Sequence, residues 1–288
     1  MDDGLPRADG DEPGEAAADA VRFGWHASIK AVIFDWGGTL SPWHEIDLRE
    51  QWQVYARTYL GSAPARSGGH GPDPRAVAEL AADILRVEAA AWRRTQADGA
   101  SARLPEILAR AGVEADHPGY PAAQAAYEEF WEPHTITDPR VPGLFAGLRA
   151  RGVRIGVLSN TIWSQEYHRG VFARDGVLDL IDGEVYSSRI EHAKPHRQAF
   201  LAAVASVGLD DPGSCLYVGD RLYEDVHGAQ RAGLRAALVP HSDIPPHQQV
   251  HVDAAPDVVL DHLEDLLPLL DTGTLPPSPG PAGDRATG

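Results

Sequence analysis

The run Lys30-Ala-Val-Ile-Phe-Asp-Trp-Gly-Gly-Thr-Leu40 constrains the fold of this chain more than any other segment. Its apolar residues 31–34 predict a short buried strand that ends at the carboxylate of Asp35. Open α/β sheets place their chemistry at the carboxyl ends of strands. Gly37 and Gly38 follow at once, and glycines let a phosphate or a metal ion approach the backbone closely. Taken alone, the pattern is equally typical of an acidic turn after a strand.

A second apolar run, residues 154–158, leads into Ser159 and Asn160. Small polar side chains at a strand end bind phosphate oxygens together with nearby backbone N–H groups. The alternative is that one of them caps the following helix. A third run, residues 215–219, leads into Asp220, and Asp225 follows five residues later. Such an oxygen-rich cluster suits Mg²⁺, whereas acids at a helix start are the alternative.

Lys194 is one of only two lysines in the chain, against 23 arginines (25 basic residues less Lys30 and Lys194). It immediately precedes Pro195, which suits the first turn of a helix. The positive end of a helix dipole disfavours a structural cation there and favours an anion nearby. The sequence therefore predicts an anion-binding role for Lys194, with an ordinary surface lysine as the alternative.

The order of these groups resembles the haloacid dehalogenase-like hydrolase superfamily over about residues 29–270. The resemblance implies an α/β fold, a doubly wound parallel sheet with a Rossmann-like core, and phosphoryl transfer through an aspartyl-phosphate with Mg²⁺. It implies that Asp35 is the nucleophile and that Lys194 neutralises charge. It implies that Ser159 and the backbone of Gly38 and Asn160 bind the oxygens of the transferring phosphoryl group. It also implies that Thr39 contacts the substrate. The metal ligands would be Asp35, the Gly37 carbonyl, Asp220 and, directly or through water, Asp225.

Gly37 departs from the family pattern Asp-x-Asp-Gly-Thr, in which the second Asp is general acid and then general base. Such a group contributes about 10²- to 10⁴-fold to a rate. Three hypotheses follow: a phosphatase that omits or replaces this group, a carbon–halogen or carbon–phosphorus hydrolase, or a catalytically weak phosphometabolite-binding protein. Residues 41–140 contain no lysine for the Schiff base of phosphonoacetaldehyde hydrolases. Haloacid dehalogenases need no Mg²⁺, so the retained Asp220 and Asp225 favour a phosphatase acting on a small phosphorylated metabolite.

His44 is a candidate replacement acid that would reach the substrate, because histidine titrates near neutral pH. The alternative is that His44 packs or forms hydrogen bonds at a hinge. The sequence leaves both possibilities open, and it is equally silent on oligomeric state.

Composition divides the chain into a core, an insertion and two tails. Residues 28–40 and 141–271 predict the α/β core, and residues 41–140 predict an inserted all-helical cap, because their apolar residues recur at helical spacing. We expect an acidic disordered leader at residues 1–27, without the pattern of a secretory signal, and a disordered Pro/Gly-rich tail at 272–288.

The net charge of −17 argues against nonspecific nucleic-acid binding, which needs clustered cations. The single cysteine, Cys215, excludes an internal disulfide and predicts a reducing, cytoplasmic location. No apolar run approaches the ~20 residues that span a membrane, so no membrane association is expected.

Overall fold

The computed structural model describes residues 23–62, 71–240, 242, 244 and 249–275. Its centre is a six-stranded sheet in which every neighbouring pair is parallel. The strand order is β3-β2-β1-β4-β5-β6, and the strands are β1 Ala31–Phe34, β2 Arg154–Ser159, β3 Gly183–Tyr186, β4 Cys215–Gly219, β5 Arg235–Leu238 and β6 Val258–Val259. The predicted doubly wound parallel sheet is confirmed.

The central strand β1 is buried on both faces. Val32 and Phe34 belong to one hydrophobic cluster and Ala31 and Ile33 to the other, as the two-residue period of a strand requires. This explains why the strand reads as a continuous apolar run and not as an alternating one. Flanking helices cover the sheet: α5 Val141–Ala150, α6 Gln165–Arg174, α7 Arg197–Ser206, α8 Gly228–Ala232 and α9 Leu266–Thr272.

The strand order places a topological switch point between β1 and β4. The chain proceeds from β1 outward to β2 and β3, then returns to the other side of β1 as β4. At such a point the connections leave in opposite directions and open a crevice at the carboxyl edge of the sheet, where ligands of α/β proteins bind. Asp35 follows β1 and Asp220 follows β4, so the switch point brings these two carboxylates together.

Helices α1 Leu48–Gly61, α2 Pro74–Asp98, α3 Leu104–Arg110 and α4 Tyr120–Trp131 lie in the chain between β1 and α5. The Asp47 carboxylate caps α1 by accepting from the N–H groups of Arg49 and Glu50. Asp73 caps α2, and Gly99, in a left-handed conformation (φ +71°), ends it. The sequence predicts four helices in this region, and the observed ends differ from the predicted ones by at most three residues. The predicted ranges are 47–60, 74–96, 101–111 and 121–131.

The insertion is hydrogen-bonded to the core near Lys194 and near Ser159. Ala193 N–H donates to the Gly99 carbonyl (2.7 Å), next to Lys194. Leu104 N–H donates to the Ile162 carbonyl (2.8 Å), close to Ser159. These bonds explain why α3 begins at Leu104 and not at Ser101: the intervening backbone pairs with the core and does not coil.

The first described residues lie beside the residue that follows α9. Phe23 N–H donates to the Gly273 carbonyl (2.6 Å), and Phe23 and Trp25 pack against the core. Residues 23–27, which the sequence assigned to the leader, therefore lie in the packed part of the chain. The predictions for residues 1–22 and 276–288 lie outside the described residues. Within the described ranges, each helix is too short or too polar to span a bilayer.

Glu88 is a buried acid inside the helical insertion, 5% exposed, and its carboxylate accepts a hydrogen bond from Trp52 Nε1 (2.7 Å). Burial raises the pKa of Glu88 to about 6, although the Trp52 hydrogen bond opposes that rise. Because the folded state holds this proton more tightly than the unfolded state, stability is greatest below about pH 4.5 and declines as the pH rises through about 6. The total loss amounts to about 2 kcal/mol.

We expect Glu88→Gln to relieve this loss, because the amide oxygen still accepts from Trp52 and carries no charge. Denaturant unfolding of both proteins should show the advantage of the variant growing by about 1 kcal/mol between about pH 5 and pH 8. Glu79→Gln, at an exposed position of the same helix, is the control and should track the wild type. A Glu88→Gln advantage that is independent of pH would contradict the assignment.

Candidate active site

Four separated segments converge at the carboxyl edge of the sheet. One carboxylate oxygen from each of Asp35, Asp220 and Asp225 lies within 4.8 Å of the others. Lys194 Nζ lies 2.8 Å from Asp35 Oδ1 and 2.7 Å from Asp225 Oδ1. All four side chains are less than a tenth exposed. The structure thus forms one buried group from the residues that the sequence placed at separate strand and helix ends.

The Lys194 ammonium has all three of its hydrogens engaged. Besides Asp35 and Asp225, it donates to the hydroxyl of Tyr217 (2.8 Å), and an ammonium has three hydrogens to give. Burial acts to lower the pKa of Lys194, but the attraction of Asp225 and Asp35 outweighs it and raises the pKa above its usual value. Lys194 is therefore a fixed positive charge at neutral pH.

Asp225 and Asp220 differ in what their oxygens contact. Asp225 Oδ1 accepts from Lys194, and Asp225 Oδ2 accepts from the backbone N–H of Arg221 (2.9 Å). Both Asp220 oxygens are buried, and neither makes a hydrogen bond of normal geometry to a described residue, although the nearby Ser242 hydroxyl acts to lower the pKa of Asp220. Burial, followed by repulsion from Asp225 and Asp35, raises the pKa of Asp220 to about 7. Asp225 therefore holds Lys194, while Asp220 has unused acceptor capacity.

The charge of the group is unbalanced without a further cation. Burial also raises the pKa of Asp35, against the opposing attraction of Lys194. Three ionised carboxylates and one ammonium leave a buried excess of two negative charges, which is costly away from water. The unpartnered oxygens of Asp220, beside Asp35, are hard donors of the kind that Mg²⁺ prefers. The donor set therefore fits a divalent cation.

Glycines on both sides of the crevice make this close approach possible. Gly38 has φ +85°, and a Cβ there would collide with the Asp220 carboxylate. A Cβ at Gly219, the last residue of β4, would collide with Asp225. The segment Leu222–His227 forms a π-helical turn in which Arg221 accepts from the N–H of Val226 (3.2 Å). This turn directs Asp225 back toward the sheet, and π-turns recur at functional sites.

Asn160 clamps the backbone of Lys194. Its side-chain Nδ2 donates to the Lys194 carbonyl (2.9 Å), and its Oδ1 accepts from the Lys194 N–H (2.8 Å). Ser159, at the end of β2, is 3% exposed. Gly38 N–H donates to the Ser41 carbonyl (2.8 Å), so the expected role of this group in oxygen binding requires that bond to open. Thr39 Oγ1 is buried without a hydrogen-bond partner among the described residues.

Gly37 is the position where the family pattern has its general acid, and His44 is the candidate replacement. Both residues lie in open surroundings. The His44 side chain is exposed, and its ring lies 5.5 Å from that of His134. Among the described residues it makes no hydrogen bond to the buried carboxylates. A Cβ added at Gly37 would meet no atom within 4 Å. The structure places His44 beside His134, and free space lies beside the turn that follows Asp35.

A doubly wound sheet with a buried carboxylate–lysine group at its switch point defines a class of α/β enzymes with a site at the carboxyl edge. The chain belongs to the haloacid dehalogenase-like hydrolase family, whose sequence model matches residues 29–233. It is therefore a hydrolase.

Two curated relatives are phosphatases by name. The glyceraldehyde 3-phosphate phosphatase of Methanopyrus kandleri is 26% identical over 161 residues, which is 56% of this chain and 68% of the relative. The phosphoglycolate phosphatase of Cereibacter sphaeroides is 28% identical over 245 residues, which is 80% of this chain and 98% of the relative.

Solved structures share the fold. A HAD phosphatase from Thermococcus onnurineus has a TM-score of 0.54 at 22% identity, covering 85% of this chain and 99% of its own. A 2-haloacid dehalogenase from Pseudomonas syringae pv. Tomato has a TM-score of 0.56 at 20% identity, covering 84% of this chain and 98% of its own. Because phosphatases and dehalogenases match about equally well, the fold alone does not separate the two activities.

Tyr217 is the site residue that sequence reasoning missed. It lies in β4, fully buried, and its hydroxyl accepts from Lys194 and donates to the Leu158 carbonyl (3.0 Å). The available signal was a tyrosine inside a run of apolar strand residues, because a buried tyrosine hydroxyl must find a partner. The sequence does not say which partner, since Lys194 lies 23 positions away.

We expect Tyr217→Phe to lower kcat about tenfold with KM within about twofold, because a hydrogen bond to a charged group contributes about 1.5–3 kcal/mol. Loss of the Tyr217 hydroxyl leaves one hydrogen of the Lys194 ammonium unpaired and loosens the contact of Lys194 with Asp35. Steady-state kinetics on any ester that the wild type hydrolyses provide the measurement.

Tyr186→Phe is the matched control. Tyr186 is the last residue of β3, which β2 and β1 separate from β4. It is 1% exposed, and its hydroxyl has no hydrogen-bond partner among the described residues. Its replacement should leave kcat unchanged. Equal kcat values for Tyr217→Phe and Tyr186→Phe would show that the Tyr217 contact does not position Lys194.

Proposed function

We propose that this hydrolase is a Mg²⁺-dependent phosphatase that acts on a small phosphorylated metabolite through an aspartyl-phosphate at Asp35. The observation that carries the proposal is the convergence of three buried carboxylates, those of Asp35, Asp220 and Asp225, on the single ammonium of Lys194. A site of this composition suits a divalent cation and an anionic group that binds to it. Phosphoryl transfer depends mainly on such positioning and charge stabilisation.

Asp35, Asp220 and the carbonyl of Gly37 would hold the metal ion. Asp225 would bind the metal ion through a water molecule, because both of its oxygens already accept hydrogen bonds. When bound, Mg²⁺ neutralises the carboxylates and withdraws charge from the transferring phosphoryl oxygens. The two unpartnered oxygens of Asp220 support this assignment over a site that needs no metal.

The chain's own residues carry the chemistry in two steps. An oxygen of Asp35 attacks phosphorus, the bond from phosphorus to the ester oxygen breaks, and the leaving oxygen departs with the electron pair. Water then attacks the phosphorus of the aspartyl-phosphate and frees the Asp35 carboxylate and inorganic phosphate. Lys194 directs Asp35 through its 2.8 Å contact, and Ser159 and Thr39 would contact phosphoryl oxygens.

The insertion formed by α1–α4 would serve as a cap over this site. Its hydrogen bonds to the core adjoin Lys194 and Ser159, so its position and the site geometry are linked. Caps of this kind exclude water and select substrates. The names of the relatives, phosphatases for two- and three-carbon phosphate esters, support a small phosphorylated metabolite as substrate.

We expect phosphate release from a panel of small phosphorylated metabolites to require Mg²⁺ and to disappear in Asp35→Asn. The amide keeps the size of the carboxylate but is not a nucleophile and binds the cation less well. The measurement is inorganic phosphate released with Mg²⁺ and with EDTA, beside free halide released from a haloacid.

Three other results would contradict the proposal. Halide release without Mg²⁺ would identify a carbon–halogen hydrolase, and full phosphate release by Asp35→Asn would exclude the covalent route. No turnover of any ester, together with a ligand-induced rise in melting temperature, would identify a binding protein. Arg86→Gln, at an exposed ion pair on α2 with Asp83, is the control variant and should release phosphate at the wild-type rate.

A further inference from the structure

Gly37 has no side chain that could protonate a leaving group, and among the residues that the structure describes none takes its place beside Asp35. A Cβ at this position would meet no atom within 4 Å, so the space beside the turn after Asp35 is open. No described neighbour fills that space in place of the missing carboxyl group. A leaving oxygen there would be released as an anion unless a proton came from another group.

Lys194 is a proton-bearing side chain in direct contact with Asp35, and its hydrogens are all committed. They bind Asp35 Oδ1 (2.8 Å), Asp225 Oδ1 (2.7 Å) and the Tyr217 hydroxyl (2.8 Å). Donating to a leaving oxygen would break one of these buried bonds, and a buried carboxylate left unpaired is costly. Lys194 therefore serves orientation and charge, and not acid catalysis.

His44 is not placed by any described contact where it could protonate the leaving group in place of the missing carboxyl group. It is exposed and lies against His134 at 5.5 Å. An acid must come within hydrogen-bond reach of the atom that it protonates, and the ring contact of His44 directs it to its histidine neighbour. With Asp220 holding the metal ion, the described contacts of Asp35 supply metal ligands, an orienting cation and a nucleophile, but no group that is free to act as an acid.

We propose that the substrates of this phosphatase are phosphorylated enols, phenols or carboxylic acids, whose leaving oxygens are stable as anions. An alkyl phosphate releases an alkoxide, which needs a proton as the bond from phosphorus breaks. An enolate, phenolate or carboxylate leaves with the electron pair unaided. This inference rests on the proposed phosphatase function and narrows its substrate class. It sets the chain apart from the two named relatives, whose substrates are alkyl phosphates.

The dependence of the rate on the leaving group tests the inference in the wild-type protein. We would measure kcat/KM with Mg²⁺ for aryl phosphates from p-nitrophenyl to phenyl, for acetyl phosphate and for glycerol 3-phosphate. The ratio kcat/KM reports the step that breaks the first bond to phosphorus. We expect a steep fall as the leaving group becomes more basic, with glycerol 3-phosphate at least about 10²-fold slower than p-nitrophenyl phosphate.

Gly37→Asp supplies the missing acid in a space that accepts it. It should raise the ratio of kcat/KM for glycerol 3-phosphate to kcat/KM for p-nitrophenyl phosphate about 10²-fold and so flatten the leaving-group dependence. Gly37→Asn is the matched control, because it has the same size and cannot give up a proton in this way. The control should retain the steep dependence of the wild type.

The outcomes separate the two proposals. A wild-type protein that hydrolyses glycerol 3-phosphate as fast as p-nitrophenyl phosphate overturns the substrate class and leaves the phosphatase function intact. A wild-type protein that hydrolyses none of the esters overturns both. If Gly37→Asp does not fold, the wild-type series alone decides.

Discussion

The contact between one lysine ammonium and two buried carboxylates is the interaction on which the rest of the site depends. Lys194 holds Asp35 and Asp225 at 2.8 and 2.7 Å, and Tyr217 takes its third hydrogen. Without this cation, three acids within 4.8 Å could not remain ionised in a buried crevice. With it, a charge imbalance remains that suits a divalent ion and a phosphoryl group, and the proposed activity follows from that imbalance.

The parallel sheet makes this contact possible by bringing strand ends to a single edge. Asp35 and Asp220 follow adjacent strands on either side of the switch point. Asn160 fixes the Lys194 backbone, and the Gly99 carbonyl binds the residue before it. The lysine is thus tied to the core through Asn160 and to the helical insertion through Gly99. A movement of the insertion would therefore shift Lys194 and, through its contact with Lys194, the nucleophile Asp35.

Much of the fold was predictable because local patterns specified it. The apolar run before Asp35 predicted a strand buried on both faces, and Gly99 and Pro74 mark the ends of α2. The helix limits were less predictable where tertiary bonds intervened, as at Leu104. At the site, the residue types of Asp35, Lys194 and Asp220 indicated a cluster. The different surroundings of Asp220 and Asp225 depend on a π-helical turn, which the local sequence pattern did not predict.

The sequence by itself determined the strand-and-helix order, the acidic and lysine residues at element ends, and the absence of a carboxyl group at Gly37. Only the tertiary structure decided which partner each polar atom has: Tyr217 for Lys194, the Lys194 backbone for the Asn160 amide, and none for Asp220 among the described residues. The physical reason is that element formation follows from side-chain periodicity over a few residues. The hydrogen bonds of the site, in contrast, join residues that are tens of positions apart in the sequence. Only the packing of the folded chain brings such residues within hydrogen-bond distance of each other.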